Sequence, residues 1–302
     1  MCGCCILTSD KGKSSRTERI KQMSKEVILT AKDLSKTFSN ESVQQHVLKN
    51  LNLEIYKGDF TVIMGNSGSG KSTLLYALSG MDRPTLGTIT YSVEDKLEKK
   101  CKKTNGGKGV EISKFSNDCL ALFRRNHCGF VFQQNYLNDS MSALDNVMVS
   151  GLLKTKDRKA LASRAKELLE KVEISDRDWK KFPTQLSGGQ QQRVAVVRGV
   201  INQPEVLFAD EPTGALNSQN TTNVLDILTE LNEQGQSIVM VTHTVKAAER
   251  ANRVIYLADG VISSEVDLGP YLGDYKDDTN PMQSKALDRH HKLKDFLSEM
   301  GW

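Results

Sequence analysis

The sequence predicts an α/β protein with a mostly parallel sheet, an antiparallel β edge and an inserted helical subdomain. Three observations carry this expectation. Short apolar runs bounded by Gly and Asp, "VILTAKDLSKTF" from Val27 and "VLKNLNLEIYKGDFTVIMG" from Val47, have the alternation of strands. Later strand-like runs alternate with segments of helical spacing, which is the order that builds a parallel sheet. Two of those runs, "EVLFADEP" (205–212) and "QSIVMVTH" (236–243), are continuously apolar until they meet carboxylates or a His. That form marks a buried parallel strand ending at a site.

The elements follow in order. A polar tail (1–24) precedes the regular pattern, and "MSKEV" from Met23 reads as a natural start within it. The main domain is expected over 25–265. In it, "KSTLLYALSG" reads as a helix closed by Gly80. Residues 92–110, "SVEDKLEKKCKKTNGGKGV", are Lys-rich and Gly-tipped and read as a solvated loop insertion with almost nothing to bury. "CGFVFQQ" (128–134) returns to strand, and a helical subdomain follows over about 135–190. There, "SALDNVMVSGLL" is helical, and "DRKALASRAKELLEKVEI" places Leu161, Ala165, Leu168, Leu169 and Val172 on one face. "GGQQQRVAVVRGVIN" is a further helix, stopped before Pro204. The extension 266–302 carries a helical pattern that pairs Leu293 with Leu297 and Phe296 with Met300, a spacing suited to packing on its own domain. His290 and His291 read as surface residues of that helix.

Composition sets limits on function. Charged residues are 26% of the 302 and hydrophobic ones 38%, the balance of a soluble globular chain. A net charge of +4 is too small to argue for nucleic acid, and no run reaches the ~20 apolar residues of a membrane span. The start lacks an apolar core for a secretory signal, so a cytoplasmic location is expected. The six cysteines (Cys2, Cys4, Cys5, Cys101, Cys119 and Cys128) fit no paired zinc spacing and are expected to be reduced thiols.

The chemistry concentrates in three motifs and two single residues. "GNSGSGKS" (65–72) fits G-x-x-x-x-G-K-[ST] between an apolar strand and a helix. Gly65, Asn66, Ser67, Gly68, Ser69, Gly70, Lys71, Ser72 and Thr73 would cradle phosphates, with Lys71 on the β- and γ-phosphates and Ser72 on Mg²⁺. The competing reading, a bare Gly/Ser turn, has the flanking strand and helix against it. In "VLFADE", Asp210 is placed to hold the metal shell and Glu211 to orient and polarise an attacking water; a pair capping a strand end is the alternative. His243, ending the next strand, can donate to a phosphate oxygen, or it is a surface residue at a turn. Gln133 could reach metal or water through its amide oxygen, or is simply a polar strand end. Finally, "TQLSGGQQQR" (184–193) is a second helix start of the kind that accepts an anion, which a single nucleotide does not need.

Taken together and in this order, the phosphate loop, Gln133, "LSGGQ", "VLFADEP" and His243 resemble the ATP-binding subunit of an ABC transporter over roughly 25–265. "GFVFQQNYL" and "ADEPTGAL" are similar to the branch that exports macrolides, antimicrobial peptides or lipoproteins. The resemblance implies a P-loop NTPase core, ATP and Mg²⁺ as ligands, and two such domains packed head to tail. The signature turn (Ser187, Gly188, Gly189 and Gln190) then closes on ATP held by the partner, a second copy or a paralogue. It also implies permease subunits in separate membrane chains, a peripheral place on the inner face of the cell membrane, and no stable nucleic-acid partner. An adenine-stacking aromatic is implied upstream, where Phe38 stands; a core Phe is the alternative. Asn217 departs from the Asp usual in the family, so it either weakens an inter-site clamp or caps the next helix. His243 is followed by Thr244 rather than Asp, and the insertion at 92–110 lies outside the common pattern. A soluble or regulatory ATPase acting on ribosomes, DNA or the cell envelope is the second reading. One P-loop and one signature argue against the ribosome type, and the lack of a long heptad array argues against the chromosome type. No "NKxD" supports a GTPase.

Overall fold

The computed structural model describes residues 25–40, 43–94, 101, 109–273 and 281–302. The polar tail with Cys2, Cys4 and Cys5, and most of the Lys-rich insertion, lie outside the described residues. Two sheets form the frame. Strands β1 (Val27–Asn40), β2 (Val43–Tyr56), β4 (Leu86–Tyr91) and β5 (Val110–Glu111) make an antiparallel sheet in the order β2-β1-β4-β5. The second runs β10-β9-β3-β8-β7-β6, from β3 (Phe60–Met64), β6 (Cys128–Phe132), β7 (Val206–Asp210), β8 (Ser237–Val241), β9 (Arg253–Ala258) and β10 (Val261–Asp267). Its pairs are parallel except β9 with β10. The α/β class, the parallel sheet and the antiparallel edge are thus as the alternation predicts.

Strand periodicity divides the core. In β7, Val206 and Phe208 face a cluster with Ile63, Val239, Ile255 and the antiparallel sheet. Leu207 and Ala209 face the other way, with Phe60, Val62 and Met240. Successive side chains on a strand point to opposite faces, so a strand covered on both sides must be apolar throughout. This is why β3 and β8 are buried at every position. Helices α1 (Lys71–Leu78) and α2 (Asn117–His127) pack on the first face. A third cluster belongs to α3 (Ala143–Leu152), α4 (Arg158–Lys171) and one face of α5 (Gly188–Val200), including Val147, Leu161, Leu169 and Val194. Helices α6 (Ser218–Glu233) and α7 (Val245–Ala248) complete the second face. There Leu293, Phe296 and Leu297 of α8 (Pro281–Glu299) also bury.

Register levels the strand ends. Phe132 pairs with Asp210, Asp210 with Val241, and Val241 with Ile63. The next residues of each chain segment therefore emerge side by side at the C-terminal edge of the sheet, where ligands bind in such folds.

Two expectations are corrected. Cys101 and Cys119 form a disulfide, with Cα atoms 5.6 Å apart, so these thiols are not free. The insertion also buries something after all. Cys101 and Val110 are 2% and 3% exposed and join the first core cluster, which a count of lysines could not reveal. Cys128 is a free cysteine, its thiol pushed up to about 12 chiefly by burial.

Candidate functional site

The loop between β3 and α1 is shaped by what surrounds it. Gly65 has φ of 148°, and a Cβ there would lie 2.0 Å from the carbonyl oxygen of Leu257, so no side chain fits. Gly70 caps α1 in the left-handed region at φ of 100°, without a side chain accepting from the first turn. The first amides of α1 are thereby left for an external acceptor, and the helix dipole favours an anion there. The Lys71 ammonium lies in the loop's bowl, donating to the carbonyls of Gly65 and Asn66 at 2.8 Å each. Burial lowers its pKa, opposed by the nearby Glu211 and Asp210 carboxylates. The Ser69 hydroxyl is buried with no hydrogen-bond partner among the described residues. A phosphate would satisfy the helix amides and the Lys71 ammonium together.

The carboxylates come from the end of β7. Ser72 Oγ donates to Asp210 Oδ1 at 2.9 Å, and the Tyr76 hydroxyl donates to Oδ2 at 2.6 Å. Burial first, then the Asp210 contact, pushes the Tyr76 phenol upward, so it stays a donor. Ser72 and Asp210 form an all-oxygen set with one carboxylate. That set suits Mg²⁺, which takes one or two carboxylates and leaves its other positions to water and phosphate. Accordingly, among the described residues no group of three His, Cys, Asp or Glu is present to cage a metal. Glu211 leaves the strand at φ of 44°, a backbone region that costs a non-Gly residue energy, held by its amide on the Val241 carbonyl at 3.0 Å. Its carboxylate lies 3.2 Å from Nδ1 of His243.

A cavity of about 670 Å³ opens beside Lys71, Ser72, Glu211 and His243. Ser67, Gly68, Lys71, Ser72 and Thr73 line one side, Glu211 and His243 another, and Phe38 with Gln45 and Val47 the far end. Phe38 is 45% exposed, with the Lys36 ammonium 4.8 Å from its ring centroid, so it is a surface aromatic rather than a core one. Gln133 stands apart. It follows Phe132 beside Asp210 in register, but a Cβ on Gly214 would touch its Nε2 at 2.9 Å, and it is not part of the cavity lining.

The second helix start does not line this cavity either. Ser187 caps α5, its hydroxyl accepting from the Gln190 amide at 3.3 Å, while Gln190 Oε1 accepts from the Ser187 amide at 2.9 Å. Ser187 and Gly188 are exposed, and among the described residues nothing lies within 4 Å of a Cβ placed on Gly188. Gly189 is buried, and a Cβ on it would meet the Asn220 side chain at 2.4 Å. Asn217 caps α6 by accepting from the Asn220 amide at 2.9 Å, which is the second of its two readings.

Several residues escaped sequence reasoning. Gln191 donates to the Pro183 and Leu186 carbonyls and accepts from Asn135, and buried Gln192 donates to the Phe132 carbonyl at 2.8 Å. They tie the signature turn to the β6 end, yet nothing in "QQQ" tells one Gln from another. Gln45 and Val47 reach the cavity only through hairpin register. Tyr76 was legible in principle, four residues after Ser72 on one helix face.

The family pattern for ABC transporters matches residues 48–214, more than half of the chain. The chain belongs to the ABC transporter ATPase family. ABC ATPases bind and hydrolyse ATP, and the cavity of this one is lined by the glycine-rich loop, Lys71 and Glu211. An uncharacterized ABC transporter ATP-binding protein of Methanocaldococcus jannaschii is 42% identical over 235 residues, covering 78% of this chain and 97% of that one. The macrolide export ATP-binding/permease protein MacB of Mannheimia succiniciproducens is 38% identical over 272 residues. This ABC ATPase matches over 90% of its own length but spans only 39% of that longer protein. Among solved structures, the ATP-binding cassette MJ0796 as a post-hydrolysis dimer with ADP and Pi superposes with a TM-score of 0.68 at 35% identity, covering 80% and 98% of the two chains.

Proposed function

We propose that this ABC ATPase works as a head-to-tail pair with a second ATPase, a copy of itself or a paralogue, and drives export of a peptide, lipoprotein or drug-like molecule. The permease subunits would be separate membrane chains, which hold this protein on the inner face of the cell membrane. One observation carries the pairing: the Ser187–Gly188 turn is open to solvent and lines no part of the chain's own cavity. A helix start with a hydroxyl and bare glycine amides suits an anion, and the nearest anion it can serve is a γ-phosphate held by a facing subunit. The dimeric state of MJ0796 and the export named for MacB support the reading.

The division of labour follows from the geometry. Gly65 to Thr73 hold the phosphates, Lys71 neutralises their charge, and Phe38 offers a face to the adenine. Ser72 and Asp210 would hold Mg²⁺, with Gln133 a further candidate from the end of the neighbouring strand. Mg²⁺, when bound, neutralises charge on the β- and γ-phosphate oxygens. Glu211 positions the attacking water and accepts its proton, and His243, 3.2 Å away, fixes that carboxylate and can donate toward the phosphate. A groove of about 600 Å³ beside α3, with Met81, Phe130, Tyr136, Val149 and Leu153 on its walls, gives the helical subdomain an apolar face for a membrane subunit. Among the described residues no helix is long and apolar enough to cross a membrane.

The deciding experiment is affinity purification of the full chain from detergent-solubilised membranes. Recovery of a polytopic membrane protein with it is the expected result. Recovery only with ribosomes or DNA would overturn the transport reading in favour of a soluble ATPase.

A further inference from the structure

We propose that Tyr76 is a positioning residue for the metal: its hydroxyl fixes the rotation of the Asp210 carboxylate so that Oδ1 stays on Ser72. The inference rests on the reading of Asp210 and Ser72 as the Mg²⁺-holding pair, and extends it to a residue outside the phosphate loop.

The geometry begins with the helix. Ser72 and Tyr76 are four residues apart on α1 and lie one above the other on a single face. That face meets the end of β7, and the two hydroxyls take different oxygens of one carboxylate: Ser72 on Oδ1 at 2.9 Å, Tyr76 on Oδ2 at 2.6 Å. An aspartate's second torsion is broad and two-fold, so one hydrogen bond leaves the carboxylate free to turn about its axis. A second donor on the opposite oxygen removes that freedom. The consequence reaches Ser72. To ligate a cation, its hydroxyl must point its proton away from the metal, and Oδ1 is the acceptor that takes it. Tyr76 therefore holds the acceptor that aims the ligand. Its ring packs against the buried core cluster that includes Leu74, Leu75 and Phe123, so the hydroxyl is delivered from a supported position. Groups that orient metal ligands commonly change metal affinity about 10–100-fold when removed.

Full-length protein, loaded with the non-hydrolysable analogue adenylyl imidodiphosphate, is titrated with Mn²⁺ and followed by electron paramagnetic resonance. Tyr76→Phe keeps the ring and should raise the half-saturating Mn²⁺ about tenfold. Nucleotide affinity in EDTA should stay within twofold of wild type, which also shows that the variant is folded. Tyr76→Leu should give the same metal loss if the hydroxyl is what counts. Unchanged or tighter Mn²⁺ binding in Tyr76→Phe overturns the proposal, the latter meaning that the phenol competes with the cation for Asp210. A loss seen only in Tyr76→Leu also overturns it and leaves a packing role. Asp210→Asn separates this failure from that of the underlying reading. If that substitution leaves Mn²⁺ binding intact, Asp210 is not in the metal shell at all. If it weakens binding while Tyr76→Phe does not, only the positioning role falls.

Discussion

The helices that begin at Lys71 and at Gly188 both open from glycine-rich turns, but they are finished differently. The first is capped by a left-handed Gly70 that has no side-chain acceptor, and its start opens on a cavity beside Lys71, whose ammonium is held by the Gly65 and Asn66 carbonyls. The second is closed on itself: Ser187 and Gln190 satisfy each other's backbone, and the turn faces solvent. A helix start left uncapped in a walled pocket is built for a resident anion. One that is already capped holds its shape without a ligand and can present that shape to another molecule. On the proposed function, the two motifs divide into a holder and a presenter.

The strongest way to break this comparison is at Lys71. Lys71→Ala should abolish ATP binding measured by calorimetry while leaving the melting temperature near wild type, because the side chain's only protein partners in the loop are carbonyls. Retained binding would mean the loop does not hold the triphosphate. Next in size is Glu211→Gln, which keeps the shape and loses the base. Turnover should fall on the order of 10²–10⁴-fold with ATP affinity preserved. Size-exclusion chromatography with Mg-ATP should then show a stable dimer, and a monomer hydrolysing at the wild-type rate would remove Glu211 from the chemistry.

The presenter is tested at Gly188 and Gly189, neighbours with opposite environments. In Gly188→Tyr the new Cβ meets nothing within 4 Å among the described residues, so monomer ATP affinity should stay within about twofold while dimerisation and turnover fall together. Equal loss of nucleotide affinity in the monomer would place the turn on its own ATP. Gly189→Val drives a side chain into Asn220 and should instead cost about 1–3 kcal/mol of stability by thermal denaturation. The smallest effect belongs to Asn217→Asp. Asn and Asp cap about equally well, so turnover and Hill coefficient should be unchanged and the melting temperature should shift by no more than a degree or two. A clear rise in cooperativity would restore the inter-site clamp.

Much of this was legible because the chemistry is local in sequence. The loop from Gly65 to Ser72, the run ending at Asp210 and Glu211, and His243 each carry their own signal of strand, turn and polar end. What escaped depends on register or distance. Gln133 lies against Gly214 because two loops meet above a strand pair, and no spacing within "FVFQQ" encodes that. Gln45 and Val47, which no motif marked, join the expected Phe38 on the cavity wall through hairpin pairing. Asn217 left two readings open that only the direction of one hydrogen bond separates. The Lys-rich insertion misled because its composition describes its surface, while Cys101 and Val110 within it reach the core.

That cysteine has a practical consequence for handling the protein. The bond from Cys101 to Cys119 closes a loop of 18 residues, and in the chain-entropy account a loop of this size disfavours the unfolded ensemble by about 3 kcal/mol. Buffers with and without reductant therefore prepare two different reference states of one polypeptide. A melting curve, a protease digest or an ATPase rate recorded under one of them is not interchangeable with the other.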